Sequence, residues 1–351
     1  MTKKLVTTLV VFIAILAITV APVAQACSRI VYETGDAQFM TGRSMDWMED
    51  LDSDLWAFPK GMKRDGGVGP DSIAWVSKYG SIIASAYDIA SADGMNSEGL
   101  VANLLYLAEA DYGDIEGKPA LSVGAWAQYA LDNYATVDEA VEGLRAEPFG
   151  IVAPDLPNGS SASVHLSLSD RTGDSAIFEY IDGKKLVIHH GREYNVMTNS
   201  PPFDEQIPLN AYWEEIGGLT FLPGTNRASD RFARASYYLN AVPKFKARRK
   251  AVGAVFSIMR NVSVPLGITD AARPNIASTI WRTVADQKSR IYYFESAISP
   301  NIFWVKMDKL NLQEGADPMK LELKGHPILA GEVSAEFEPA DPFDWLAPEE
   351  S

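Results

Sequence analysis

The sequence predicts an α+β domain in which helix and antiparallel sheet are stacked in layers. Three observations carry that expectation. Strand-like segments come first, helical segments follow, and strands resume, an order that favours α+β architecture over alternating β-α units. The chain has 351 residues, 47% hydrophobic and 22% charged, ordinary globular values that rule out disorder and collagen-like repeats and allow a sizeable core. No internal repeat or linker divides it. The expected organisation is a leader over 1–26 and one domain over 27–351, with 332–351 an acidic, Pro-rich tail.

Residues 1–26 carry the three parts of a secretory signal peptide. Lys3 and Lys4 give the positive start, Leu5 to Val20 is apolar apart from threonines, and Ala24-Gln25-Ala26 fits the small-x-small cleavage rule after Pro22. Cleavage between Ala26 and Cys27 makes the product periplasmic or secreted, with no stable membrane insertion afterwards. A retained membrane anchor is the competing reading. Removing the leader takes two Lys and no acid, moving the formal charge from −15 to −17. So acidic a surface repels phosphate backbones, which excludes nucleic acid as a partner class.

Downstream, Cys27 to Tyr32 reads as a strand. Thr41 to Trp47 reads as a turn or strand end, with Arg43 and Asp46 three apart. Asp50, Asp52 and Asp54 read as a solvated acidic loop, and Gly61 to Ser72 as a Gly- and Pro-containing loop. Ser81 to Ala86 and Gly99 to Tyr106 read as strands, with a turn at Asp93-Gly94-Met95-Asn96 between them. Apolar spacing predicts a helix over Leu121 to Asn133, and a Thr136/Glu139 capping box opens another that runs to about Ala146, before Pro148. After the turn-rich Pro154 to Ser161, strands are expected over Ser163–Ser169, Ala176–Ile181, Lys185–His189 and Tyr194–Asn199, with Asp182-Gly183 as a hairpin turn. Helices follow at Arg231–Leu239 and Lys250–Arg260. Asp230 is the expected N-cap of the first, which leaves Arg231 in a first turn where a cation opposes the helix dipole. Strands resume at Thr279–Asp286, Arg290–Ser296 and Ile302–Lys306, and the tail from Glu332 reads as a partly ordered, solvated end.

Four His and one Cys exclude zinc sites built from several thiolates and any internal disulfide. His189 and His190 fall on opposite faces of a strand and cannot share one ion. There is no G-x-S-x-G, H-E-x-x-H, P-loop or convincing dinucleotide fingerprint, so neither metal nor cofactor is expected. A lone Cys in an exported chain has three readings: a small buried residue, a lipid anchor, or a nucleophile freed by cleavage. Ala24 stands where a lipidation site usually carries Leu. As a first residue, Cys27 would bear an α-amine of pKa about 7.7–8 beside its own thiol. That amine can act as base, directly or through water, so no His is needed. The uncleaved precursor, with an amide nitrogen, is then expected to be inactive. Arg43 can hold the thiol as thiolate, and Asp46 can accept from the ammonium or thiol; a surface ion pair is the plainer alternative. Asn199, ahead of Pro201 and Pro202, can present a rigid amide to an oxyanion or simply be a turn residue. Met45, Trp47, Trp56 and Tyr106 suit either core or pocket.

Taken in order, Cys27 after a leader, Gly42 to Trp47, Asp93 to Leu100, Val196 to Pro201, and Leu222-Pro223-Gly224 with Arg231-Phe232 resemble the choloylglycine hydrolase/penicillin V acylase family of N-terminal nucleophile amidases. The resemblance extends over the mature chain, through Asp286 and Tyr292-Tyr293-Phe294. It implies a four-layer αββα sandwich that hydrolyses linear amides. It implies Cys27 as nucleophile, its amine as base, Arg43 and Asp46 flanking the thiol, Asn199 as oxyanion donor, and Arg231 supporting the charge network. Tyr106 would complete the oxyanion hole through its backbone N–H, and Met45, Trp47 and Tyr106 would bind substrate. Tyr106 stands where bile-salt hydrolases usually carry Asn and many penicillin V acylases carry Tyr. The exported form is similar to the Gram-negative periplasmic branch, linked to penicillin V and N-acyl homoserine lactones. The chain departs from the family at Asp230, where Ser is common, and in a stretch from Asn199 to Arg231 that is shorter than the tetramer loop of Gram-positive relatives. The expectation is therefore an exported amidase for those two substrate types. Conjugated bile salts are the alternative substrate, and a Cys-lipidated periplasmic binding protein is the alternative class. The expected partner is a small-molecule acyl amide, with homotetramer and homodimer both open.

Overall fold

Side chains alternate between the two faces of a strand, and here both faces of the long strands are buried, so each sheet needs cover on two sides. The computed structural model describes residues 27–348 apart from 116, 184, 219 and 269–276; the leader and the last three residues of the tail lie outside the described residues. In chain order the first strands are β1 (Ser28–Glu33), β2 (Phe39–Trp47), β3 (Leu55–Phe58), β4 (Lys63–Asp65), β5 (Ala74–Val76), β6 (Ser81–Ala86), β7 (Ala90–Asn96), β8 (Val101–Tyr106) and β9 (Ala120–Ser122). A 3-10 turn over Val123–Ala125 leads into α1 (Trp126–Asn133), and α2 (Val137–Arg145) follows. Then come β10 (Gly150–Val152), β11 (Val164–Ser169), β12 (Ser175–Ile181), β13 (Lys185–His190) and β14 (Val196–Met197), and the helices α3 (Phe203–Ile216), α4 (Ala228–Ala241) and α5 (Arg248–Val262). The chain closes with β15 (Ser278–Asp286), β16 (Ile291–Ser296), β17 (Ile302–Lys306), β18 (Met319–Leu321), β19 (Gly331–Glu332) and β20 (Glu338–Pro339).

Two large sheets result. A seven-stranded sheet has the order β14-β1-β2-β15-β16-β17-β19, and a nine-stranded sheet the order β13-β12-β11-β8-β7-β6-β3-β18-β20. On the first, α4 packs against β1 and β14, α5 against β1, β2 and β15, and α3 against α4. On the second, α1 lies on β7 and β8 and α2 on β12 and β13. This is the αββα sandwich that the resemblance implied. Val255 and Met259 of α5 press closely on β2, which carries Gly42 at the contact. A Cβ there would meet Val255 Cγ1 at 2.5 Å, so Gly42→Ala would overpack the layer at about 1–3 kcal/mol. The space between the sheets is partly polar. Thr41 and Ser169 bridge it (Oγ1 to Oγ, 2.7 Å), as does Arg29 of β1, which donates to Leu168 O and Ser175 Oγ at 2.9 Å each.

Of the two readings of Thr41 to Trp47, the strand end holds: it is the buried end of β2, where Arg43 reaches Leu104 O and Asp93 on the other sheet and Asp46 meets Thr279 on the neighbouring strand β15. The structure differs from the sequence expectations at several other elements. Asp93 to Asn96 belongs to strand β7; the Asp-Gly pair does not turn, because the Asp93 carboxylate is held by Tyr292 Oη and Asn103 Nδ2. Asp54 is buried rather than solvated, accepting from Leu323 N (2.6 Å) and from Lys320 Nζ (2.9 Å). The loop over Gly61 to Ser72 includes β4, which forms a small hairpin with β5. Leu121 and Ser122 belong to β9 and Val123–Ala125 to the 3-10 turn, so α1 itself starts at Trp126. Thr136 does cap α2, with its Oγ1 accepting from Glu139 N at 3.2 Å while Glu139 Oε2 accepts from Ala135 N at 2.8 Å. The Tyr194–Asn199 strand shrinks to the two residues of β14. Helix α4 starts at Ala228, with Arg227 rather than Asp230 at its N-cap, so Arg231 lies past the first orphan N–H groups. The tail is not a loose end: β19 pairs with β17, β20 pairs with β18, and Phe337, Trp345 and Leu346 are buried. Among the described residues, no helix is long and apolar enough to cross a membrane.

Candidate active site

Strand register assembles the site. Ser28 pairs with Ser44, which brings Cys27 abreast of Met45, and Arg29 pairs with Met197, which brings Asn199 abreast of Cys27. Cys27 Sγ lies 3.8 Å from Met45 Sδ, 3.7 Å from the Asp46 backbone oxygen and 3.9 Å from Arg43 Nη2. The Arg43 guanidinium is fixed by other contacts. Nη2 donates to Leu104 O at 2.9 Å, the group stacks 4.6 Å over the Trp281 ring, and Asp93 lies 3.9 Å away. A register irregularity between Thr279 and Trp281, opposite Met45 and Asp46, bends the pairing just where Asp46 must be aimed.

The Asp46 carboxylate does not touch the thiol. Its Oδ1 accepts from Thr279 Oγ1 at 2.5 Å, and its Oδ2 is buried with no partner. An orphaned carboxylate oxygen in the interior is costly. Burial lifts Asp46 to about 6, against Arg231, the Thr279 hydrogen bond and Arg43. Burial likewise pushes the Cys27 thiol up, opposed first by Arg43. A charge gained at the Cys27 nitrogen would act on both groups in the ionising direction.

Asn199 and Arg231 enclose the other side of Cys27. Asn199 Oδ1 accepts from Cys27 N at 2.5 Å and from Arg231 Nη2 at 2.7 Å. Arg231 Nη1 donates to Cys27 O (2.5 Å) and Ser28 Oγ (2.6 Å), and its Nε donates to Asn226 O at 3.1 Å. With its oxygen so engaged, the Asn199 amide has a fixed orientation, and Nδ2 donates to Tyr106 O at 2.7 Å. Tyr106 pairs with Val164, and Leu107 N donates to Ser163 O. That pattern makes Tyr106–Val164 a non-hydrogen-bonded pair, so the N–H and C=O of Tyr106 both point away from β11, toward Asn199.

Cys27 opens onto an apolar cleft lined by Arg43, Met45, Trp47 and Tyr106 together with Leu51, Tyr87, Leu104, Leu156 and Leu346. An apolar lining suits an acyl group. Of the four residues left between core and pocket, Met45, Trp47 and Tyr106 line the cleft, while Trp56 packs on Phe58 and Phe343 instead. Trp47 Nε1 donates to Tyr87 Oη at 2.9 Å, which fixes one wall. Sequence reasoning missed Thr279, Tyr87 and Leu346: a Thr in a strand, a Tyr in a hairpin and a Leu in a polar tail carry no local chemical signal. His189 and His190 do face opposite ways, His189 toward Glu179 and Asp204, His190 toward Asp138 and Asp174. Asp138, Asp174 and His190 each offer one ligand atom within 4.8 Å of the others, and none of the three lines the cleft. In all, the thiol that faces the cleft lies beside two buried guanidinium groups, an unpaired carboxylate oxygen and fixed amide donors, groups of the kind that acyl transfer uses.

The chain is similar to known proteins. The family of linear amide C–N hydrolases, choloylglycine hydrolase family, matches residues 27–321. A penicillin V acylase of Pectobacterium atrosepticum is 50% identical over 92% of this chain and 93% of its own length. A bile salt hydrolase/transferase of Clostridium perfringens is 26% identical over 82% of this chain and 94% of its own. Among solved structures, penicillin V acylase from Agrobacterium tumefaciens superposes with a TM-score of 0.85 at 55% identity, covering 92% of this chain and all of that one. A variant of conjugated bile acid hydrolase from Clostridium perfringens superposes at 0.72 with 24% identity, covering 84% of this chain and 96% of that one, a likeness of fold.

Proposed function

This chain belongs to the choloylglycine hydrolase family of linear amide C–N hydrolases, and from that premise we propose that it is an exported acylase of the penicillin V type, with Cys27 as its N-terminal nucleophile. It is a hydrolase of amide bonds; the acyl group, the exported state and the residue roles are the proposed part. One observation carries the reading: Asp46, Asn199 and Arg231 are buried around Cys27, whose own side chain lines an apolar cleft walled by Trp47 and Tyr106. The leader pattern of 1–26 supports export.

In the proposed reaction the freed α-amine takes the thiol proton and the thiolate attacks the amide carbon. The carbonyl oxygen becomes an oxyanion between Asn199 Nδ2 and the Tyr106 N–H. As that intermediate collapses, the ammonium returns a proton to the leaving nitrogen, releasing the amine and a thioester on Cys27. Water, deprotonated by the amine, then attacks the thioester; the acid leaves and the thiol re-forms. Arg43 and Arg231 offset the negative charge that comes and goes. The open Asp46 Oδ2 is the acceptor for the ammonium, which resolves the orphaned oxygen.

An apolar cleft with aromatic walls suits phenoxyacetyl and fatty acyl groups, so phenoxymethylpenicillin and long-chain N-acyl homoserine lactones rank first and glycocholate second. The test is a comparison of kcat/KM on these three amides for protein beginning at Cys27, checked by intact mass. A bare Cys27 with phenoxymethylpenicillin or the lactone preferred is expected. Preference for glycocholate would reassign the enzyme to bile salts, and a diacylglyceryl adduct without amidase activity would mark a lipid-anchored binding protein.

A further inference from the structure

Helix α3 follows the Asn199 segment directly and is exposed along most of its length; Phe203 and Gln206 are its buried residues. Gln206 is the anomaly, an amide 2% exposed in a helix whose Ile207, Leu209, Tyr212 and Ile216 face outward. Its two donors are not spent on the helix. Gln206 Nε2 donates to Asn199 O at 2.9 Å and to Pro201 O at 3.1 Å, while Oε1 is buried without a partner. Burying a polar side chain with one end unpaired is unfavourable where an apolar one would fit. The two bonds land on the peptides that carry and follow Asn199. The helix start is itself pinned from the other sheet. Pro202 offers no side-chain cap, and buried Glu179 of β12 accepts from Phe203 N at 3.2 and 3.1 Å, being held in turn by His165 Nδ1 at 2.9 Å.

We propose that Gln206 is a positioning residue for the Asn199 amide: from the first turns of α3 it clamps the Asn199 and Pro201 carbonyls and so fixes the backbone from which the oxyanion donor projects. This rests on the reading of Asn199 as that donor. Gln206 does not face the cleft residues and touches no substrate. Its loss lets the Asn199 peptide rotate, and the donor drifts from the place where the oxyanion forms. A displacement of about 1 Å at such a donor can cost on the order of 10²-fold in rate.

A double-mutant cycle tests it, with Gln206→Leu, Asn199→Ala and the pair, assayed on the best of the three amides. Gln206→Leu should lower kcat about 10- to 100-fold with KM within about two-fold. In the Asn199→Ala background it should cost less than about two-fold more, because the group it positions is gone. Gln206→Met serves as a second variant should Leu fail to fold, and the thermal melt of each protein identifies folded samples. A Gln206 variant with unchanged kcat, or a loss that multiplies fully with that of Asn199→Ala, overturns the proposal. Asn199→Ala at wild-type kcat would instead overturn the assignment of the donor, and the clamp with it.

Discussion

Asp46→Asn should separate stability from activity. Burial lifts the Asp46 carboxyl from an ordinary 3.8 to about 6, so the native protein binds this proton more tightly than the unfolded chain. Stability is then lost as pH rises from the unfolded pKa through the folded one. A shift of about two units corresponds to about 3 kcal/mol when both states are ionised, above roughly pH 7, and to about 1 kcal/mol at pH 4.5. Asn retains an acceptor for Thr279 and cannot ionise. In the uncleaved chain, the Cys27 nitrogen is an amide and no ammonium offsets Asp46. There the variant should gain about 3 kcal/mol at pH 8 and about 1 kcal/mol at pH 4.5. In a protein that begins at Cys27, the ammonium pairs with Asp46, so the gain at pH 8 should shrink. Turnover of that shorter protein should fall on the order of 10²-fold in the variant. Urea unfolding followed by tryptophan fluorescence gives the stabilities, with a constant m-value as the check on two-state comparison. A gain that is the same at both pH values, or larger in the Cys27-initiated protein, would refute the reasoning.

Other outcomes follow from the same geometry. Cys27→Ser should fold and lose nearly all turnover, and Cys27→Ala should be inert; an active Ala variant removes Cys27 from the chemistry. Trp47→Ala with Tyr106→Ala should raise KM for phenoxymethylpenicillin about ten-fold or more, since each loses apolar contact with the acyl group, and an unchanged KM would place the acyl group elsewhere. Arg231→Lys keeps the charge but cannot span Cys27 O, Ser28 Oγ and Asn199 Oδ1 together. It should lower kcat at least ten-fold, and wild-type kcat would reduce Arg231 to a point charge.

What was legible in the sequence follows what is local. The strands at Ser81–Ala86 and Val164–Ser169 alternate or carry β-branched residues, and the Thr136 cap lies next to the helix it starts. The errors fall where a long-range partner overrides a local signal. Arg43 and Asp46 left the end of β2 open between turn and strand, because charge in a strand buried on both faces is tolerated only with partners distant in sequence, here Leu104, Asp93 and Thr279. Asp93-Gly94 is a turn signal by itself and a strand once Tyr292 and Asn103 reach Asp93. Helix α3 was invisible because Pro201, Pro202 and Pro208 punctuate it and two buried residues give no period. The catalytic candidates were legible by family resemblance more than by spacing; only register explains why residues 27, 43, 46 and 199 meet. In the tail, acidic residues and prolines concealed the aromatic and leucine anchors.

Leu346 shares a cleft with Cys27, its oxygen held by Ser122 Oγ at 2.5 Å and its N–H by Ile89 O at 2.9 Å. Almost the entire polypeptide lies between the two in order of synthesis. A ribosome emits the sulfur early and the facing wall late. A nascent or prematurely stopped chain therefore holds the cysteine without the wall that faces it, and the cleft closes only once the codons for this last stretch have been read.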